Sequence, residues 1–173
     1  MPLVTAETSG VKEEELKELR AALSDIIGAY GIDTVVTGAI ASEYQKSRID
    51  RICDALGVRA IAPLWQKDPA LLVREQVSMG FRFILVACMA MGLDQSWLGR
   101  EIDESALKEL EGIERRYGLN PAFEGGEAET FVTDAPIFSR NIRILEAKPV
   151  WGRDSGYLEI QRAELVEKQF AKN

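Results

Sequence analysis

Between about residue 12 and residue 62 the chain alternates twice between helical and strand patterning, with only a few residues at each change. No other feature restricts the fold as much. Leu16, Leu19, Leu23, Ile26 and Ile27 recur at helical spacing, Glu13, Glu14 and Glu15 crowd the first turn where the helix dipole favours acids, and Gly31 closes the run. Thr34 to Thr37 is a short β-branched stretch ending on Gly38. Ser42 then opens a second helix whose Ile49, Ile52, Cys53 and Leu56 form one apolar stripe ending at Gly57. Arg59 to Ala62 reads as a second strand stopped by Pro63, and Pro2 to Thr5 as a strand, or the remnant of one, ahead of the first helix. Helix, strand, helix, strand with short connections predicts α/β structure, a parallel sheet covered by helices.

The pattern changes after Pro63-Leu64-Trp65. A helix is expected over residues 69–79, a strand over 82–91 and a helix over 104–117. Residues 129–133, 142–150 and 156–165 then read as antiparallel strands. We expect one domain over residues 1–66 and an α+β domain over 67–173.

Composition narrows the chemistry. Of 173 residues none is histidine, which removes histidine-based triads, His-containing zinc sites and the usual proton carrier near neutral pH. Carboxylates, Lys or Arg, hydroxyls, backbone amides or a bound cofactor must do the work. Cys53 and Cys88 stand far apart, each within an apolar pattern, and are expected to be buried and inert. A formal charge of −7, spread along the chain, argues against a nucleic-acid surface. The longest apolar run, Phe83 to Met91, falls short of the roughly 20 residues of a membrane span, and Met1 to Thr5 has no leader-like pattern, so a cytoplasmic protein is expected.

Three stretches are candidates for chemistry. In the first, Gly38 stands where a strand hands over to a helix, the edge of a parallel sheet at which ligands bind. The helix N-terminus offers N–H groups and positive dipole, and Gln45 and Arg48 share a face. The competing reading makes Ser42 and Gln45 a capping box and Arg48 a solvated residue paired with Glu43 or Asp50. In the second, Phe123 to Thr130, Gly125 and Gly126 permit positive φ and close approach, while Glu124, Glu127 and Glu129 suggest a cation, an amine or magnesium held with a nucleotide's phosphates. An exposed acidic hairpin would look the same. In the third, Gly92 to Arg100, Asp94, Trp97 and Arg100 follow the most apolar strand; they suit a substrate contact or a packed lid with a stacked guanidinium.

Taken together, TGAIASEYQKSRIDRIC, PLW, GLDQSWLGR and EGGEAETFVTDAPIF, in this order and at these distances, resemble the diphthine–ammonia ligases, with archaeal members nearest in character. The resemblance runs from Pro2 to about Glu164. It implies a PP-loop ATP-pyrophosphatase domain with a Rossmann-like parallel sheet, here incomplete, followed by a smaller α+β domain that takes the protein substrate. It implies ATP-dependent amidation, through an acyl-adenylate, of the diphthine residue of elongation factor 2, with ATP, magnesium and ammonia taking part. On the matching positions, Gln45, Arg48, Glu124, Glu127 and Glu129 become the catalytic candidates. Gly38, Ser42 and Tyr44 would bind the nucleotide, and Asp94, Trp97, Gly125, Gly126 and Thr130 the substrate; no metal ligand is assigned.

The sequence departs from the family's pattern in two respects. The SGGKDS loop that opens family members and holds the ATP phosphates is not in this sequence, which aligns from near the third strand. Phe123 stands where many members carry glycine. A sheet short of strands would expose hydrogen-bonding edges and invite association, so a second copy of the chain is a further candidate partner. The rival reading is a noncatalytic paralogue that binds elongation factor 2 or dimerises. A transfer-RNA thiolase is disfavoured by the lack of cysteine pairs and basic surface.

Overall fold

The computed structural model describes residues 3–11 and 14–168. They fall into two compact units, Met1–Lys67 and Asp68–Asn173.

The first unit is built as the periodicity requires: α1 (Glu14–Tyr30), β1 (Thr34–Val36), α2 (Glu43–Leu56) and β2 (Arg59–Ile61). β1 and β2 run parallel, with Thr34 opposite Arg59 and Val36 opposite Ile61. Both ends of α2 are set by side-chain and backbone chemistry. Ser42 Oγ accepts the Gln45 N–H at 3.3 Å, and Gly57, at φ 71°, donates to Asp54 O while Val58 N–H reaches Cys53 O. Ile52 and Cys53 are buried. The stripe of α1 is only half-buried throughout, because a two-stranded sheet offers a helix little surface to cover.

The segment expected as a first strand is not one. Leu3 to Thr5 lies outside any regular element, since no strand among the described residues pairs with it, and Pro2 lies outside the described residues, as do Lys12 and Glu13.

The second unit is the expected α+β one. It contains α3 (Pro69–Ser78), β3 (Arg82–Cys88), a short 3-10 helix (Gln95–Trp97), α4 (Glu104–Tyr117), β4 (Ala128–Asp134), β5 (Arg140–Trp151) and β6 (Gly156–Glu167). Asp68 and Asp103 cap α3 and α4 by accepting the Leu71 and Ala106 N–H groups at 2.9 and 2.8 Å. The strands form one antiparallel sheet in the order β4-β3-β6-β5. Phe83, Leu85 and Cys88 of β3 pack with Leu107 and Leu110 of α4, and with Leu93, Trp97 and Phe123 from the loops, in one core. β3 ends at Cys88 rather than at Met91: the Met89 N–H still reaches Glu127 O at 2.8 Å in register with β4, and the chain then leaves the sheet in a turn that Leu93 N–H closes on Ala90 O at 3.2 Å.

β3 pairs with β6 only at Ala87–Tyr157 and Cys88–Gly156. Beyond that point residues 98–102 take the strand edge, with Gly99 N–H on Leu85 O at 2.8 Å and Ile102 N–H on Phe83 O at 2.9 Å. The long β5–β6 hairpin therefore diverges. A cavity of about 490 Å³ opens there, floored by Ile84, Ile142, Ile144 and Leu158 and edged by the Arg82–Glu101 ion pair.

Candidate functional site

The first candidate stretch resolves into a cap and a cavity. Gly38 is exposed between β1 and α2, and Ser42 is spent as the helix cap. Among the described residues the Gln45 amide returns no bond to the Ser42 N–H, so the capping box is only half made. Tyr44, Gln45 and Arg48, one turn of α2, line an open cavity of about 490 Å³ together with Thr37, Ala39, Ile49 and, from α1, Glu15 and Leu16. The Arg48 guanidinium lies over the Tyr44 ring at 3.2 Å and its Nη1 donates to Tyr44 O at 3.5 Å. Asp50, one of the anions expected beside Arg48, is taken instead by Lys46 at 2.5 Å. The cavity thus presents an aromatic face, a carboxamide and a guanidinium.

Sequence reasoning missed Glu15 as a member of this group. Its place in the first turn of α1 was already explained by the helix dipole, and nothing in its spacing brings it to α2.

The other two stretches lie in the second unit and share its core, in which Leu93 and Trp97 pack with Phe123 and Ala128. Trp97, expected to meet substrate, is 4% exposed and faces inward, with the Arg100 guanidinium 4.4 Å from its ring. Arg100 is held in turn by both oxygens of Glu109, at 2.8 and 2.5 Å. Asp94 caps the 3-10 helix. Its carboxylate accepts the Ser96 hydroxyl at 2.5 Å and the Ser96 N–H at 2.8 Å, and these bonds hold it below the usual carboxylate range. The packed-lid reading describes this stretch.

The acidic loop divides its carboxylates. Glu127 is half-buried and accepts the Gly125 N–H at 2.8 Å and the Asn120 N–H at 3.3 Å. Glu124 and Glu129 are exposed and, among the described residues, neither makes an ion pair or a side-chain hydrogen bond. Gly126 adopts φ 81° and Phe123 φ 60°, the latter in a region that glycine favours. Thr130, opposite Leu85 on β4, is exposed beside Glu129.

Both cysteines are fully buried. Burial, with Asp94 nearby, pushes the Cys88 thiol up to about 11, and burial followed by Asp50 and Asp54 raises Cys53, so neither is a nucleophile at neutral pH. Among the described residues no group of three or more acids or cysteines converges to hold a metal. No helix there is long and apolar enough to cross a membrane.

A two-part α/β protein with a parallel strand pair followed by a helix-backed antiparallel sheet is the setting in which these residues stand, and it defines the class. The chain belongs to the diphthamide synthase family: residues 68–166 match the diphthamide synthase C-terminal domain and residues 1–60 the diphthamide synthase N-terminal domain. Among individual proteins it is similar to the diphthine–ammonia ligase of Schizosaccharomyces pombe, 38% identical over 133 residues that make up 75% of this chain and 22% of that protein. The ligases of Danio rerio and Mus musculus are each 32% identical, over 91% and 90% of this chain and 62% and 60% of their own lengths. The chain spans less than two thirds of the length of these relatives.

Proposed function

We propose that this chain serves the ATP-dependent amidation of diphthine on elongation factor 2, the reaction of a diphthine–ammonia ligase in diphthamide biosynthesis. Matches to both domain descriptions, in order along one chain, support the reading. The observation that carries it furthest is the pair of exposed carboxylates, Glu124 on the loop and Glu129 at the start of strand β4 beside it, which have no ion-pair or hydrogen-bond partner among the described residues, whereas the carboxylate of Glu127 between them is tied down. Two acids left open beside a shaped backbone turn suit a cationic substrate group, such as the trimethylammonium of diphthine or an ammonium ion.

In the first unit, residues 1–66 act as the nucleotide part. Tyr44 and Arg48 offer a stacking face and a fork of parallel N–H donors for phosphate oxygens, Gln45 a carboxamide for nucleotide or substrate, and Gly38 with the start of α2 a close backbone approach. Ser42 holds that helix end in place. ATP, when bound, supplies the activation of the carboxylate that ammonia then converts to an amide. Magnesium fits this chain as an ion carried mainly by nucleotide phosphates and water, with at most one or two carboxylates from the protein. In the second unit, residues 67–173, Glu124, Glu129, Thr130 and the backbone of Gly125 and Gly126 receive the substrate, whereas Asp94 and Trp97 hold the neighbouring loop. The cytoplasm, where elongation factor 2 works, is the compartment this reading requires, and a second copy of the chain is a further partner to look for.

The test is to incubate the protein with diphthine-bearing elongation factor 2, ATP, magnesium and ammonium. AMP formation dependent on the factor, with conversion of its carboxylate to the amide by mass spectrometry, is the expected result. Binding of the factor without AMP would make the chain a noncatalytic module, and neither binding nor AMP would sink the reading.

A further inference from the structure

The two glycines of the acidic loop are there for different reasons, and the difference points to a role for Glu127. Gly126 sits at φ 81° with open space where a side chain would start, so its requirement is the backbone conformation. Gly125 does not have positive φ; instead, a Cβ there would stand 2.6 Å from Glu127 Oε1 and 3.0 Å from its Cδ. The close approach that Gly125 permits is to the protein's own carboxylate.

Both oxygens of that carboxylate are in use. Oε2 accepts the Gly125 N–H at 2.8 Å and Oε1 the Asn120 N–H at 3.3 Å, while the Glu127 carbonyl accepts the Met89 N–H at 2.8 Å. One residue therefore ties the segment after α4, the tip of the loop and the exit of β3. The turn between them is closed by Phe123 N–H on Asn120 O at 2.9 Å and Gly126 N–H on Phe123 O at 3.3 Å. Glu124 lies inside this turn, and Glu129 is the second residue of β4, the strand that leaves it.

We propose that Glu127 is a positioning residue: through Gly125 and Asn120 it fixes the turn that presents Glu124 and Glu129, and it does not itself meet the substrate. This rests on the reading of the loop as the substrate-facing part of a ligase. A charged acceptor serving two backbone donors is stronger than a neutral one, and a carboxamide in its place has only one acceptor oxygen and turns an NH₂ toward a donor.

The experiment compares Glu127→Gln, Gly125→Ala, their double variant and Glu124→Gln in the full chain. Amide hydrogen exchange at Gly125 and Asn120 and amidation of diphthine-bearing elongation factor 2 are measured on each. Exchange is expected to quicken at least tenfold in Glu127→Gln and in Gly125→Ala, and the double variant should be no faster than the faster single, because both break one contact. Glu124→Gln should leave exchange at the wild-type rate while amidation is lost. If Glu127→Gln loses amidation with exchange unchanged, Glu127 meets the substrate directly and the proposal falls. It falls equally if exchange quickens and kcat and KM both stay at wild-type values, because the carboxylate would then be structural only. Should the wild-type chain show no amidation, the ligase reading fails, and exchange alone decides whether Glu127 governs the turn.

Discussion

Replacing Phe123 sets two effects against each other, and their sizes decide the outcome. Phe123 is 8% exposed and packs with Leu93, Trp97 and Ala128, yet its backbone lies at φ 60°. Truncating a buried phenylalanine costs about 3–5 kcal/mol, whereas holding a side-chain-bearing residue in the left-handed region costs roughly 1–2 kcal/mol. Packing wins, so Phe123→Gly is destabilising even though it relieves the backbone. Phe123→Ala loses nearly the same packing and keeps the strain. Glycine gives back about 0.4–1 kcal/mol through the entropy of the unfolded chain, which leaves Phe123→Gly ahead of Phe123→Ala by roughly 0.5–1 kcal/mol. That order reverses the usual one for alanine and glycine. Urea unfolding followed by tryptophan fluorescence should place the midpoints in the order wild type, Phe123→Gly, Phe123→Ala. An alanine variant as stable as the glycine variant would mean that the left-handed backbone at 123 is not enforced by its neighbours.

Two further predictions concern charge. Arg48→Lys keeps the positive charge but loses the planar fork; a structural role beside Tyr44 leaves AMP formation at the wild-type rate, whereas under the nucleotide reading AMP formation falls at least tenfold. Unchanged AMP formation in this variant would return Arg48 to a structural role. Acid should destabilise the second unit through Asp94, Asp103 and Glu109, whose carboxyls are held below their ordinary values by Ser96, by the Ala106 N–H and by Arg100 respectively. Lowered values in the folded state mean that the stabilisation is complete above the ordinary range, near pH 4, and is lost as pH falls through the folded values. Asp103→Asn, which keeps a capping oxygen, should flatten part of that acid loss in a pH series of thermal midpoints; an unaltered slope would refute the assignment.

What the sequence made legible follows the range of the interactions involved. α2 was placed by its cap and stripe, because Ser42 and Gly57 act on backbone groups within a few residues; the helix expected over residues 104–117 is α4, with Asp103 as its cap. The antiparallel strands of the second unit were found by alternation, but their ends were not. β3 stops where the chain turns at Ala90 to Leu93, inside an apolar run whose letters give no sign of the turn. Trp97 beside Arg100 and two glycines suited either a substrate contact or a packed lid from the sequence, and the core beneath them, assembled from α4, β3 and the 119–123 segment, turns the indole inward. Glu15 and the cavity under the β5–β6 hairpin had no sequence signal, since each depends on how distant segments come together. The three glutamates looked alike as letters. Only the geometry separates the one that accepts two backbone N–H groups from the two that accept none among the described residues.

That separation leads to the last prediction. Among the ion pairs of the second unit, Arg82 with Glu101, Arg100 with Glu109 and Arg143 with Glu164 sit at the surface, where such pairs each contribute about 0–1 kcal/mol, while Lys168 with Asp134 is largely buried; the larger share of stability comes from the core around Leu85 and Leu110. Among the described residues, Glu124 and Glu129 contribute to neither the pairs nor the core. Changing both to glutamine should therefore leave stability within about 1 kcal/mol of wild type, the ordinary range for exposed positions. If these acids receive a cationic substrate group, amidation should nevertheless be lost, because a carboxamide keeps the shape and removes the charge. Thermal midpoints and AMP release measured on the same preparation separate the two effects. A double variant that is both stable and fully active would show that the acidic loop is only a solvated turn, and the substrate would then have to be received elsewhere on the second unit.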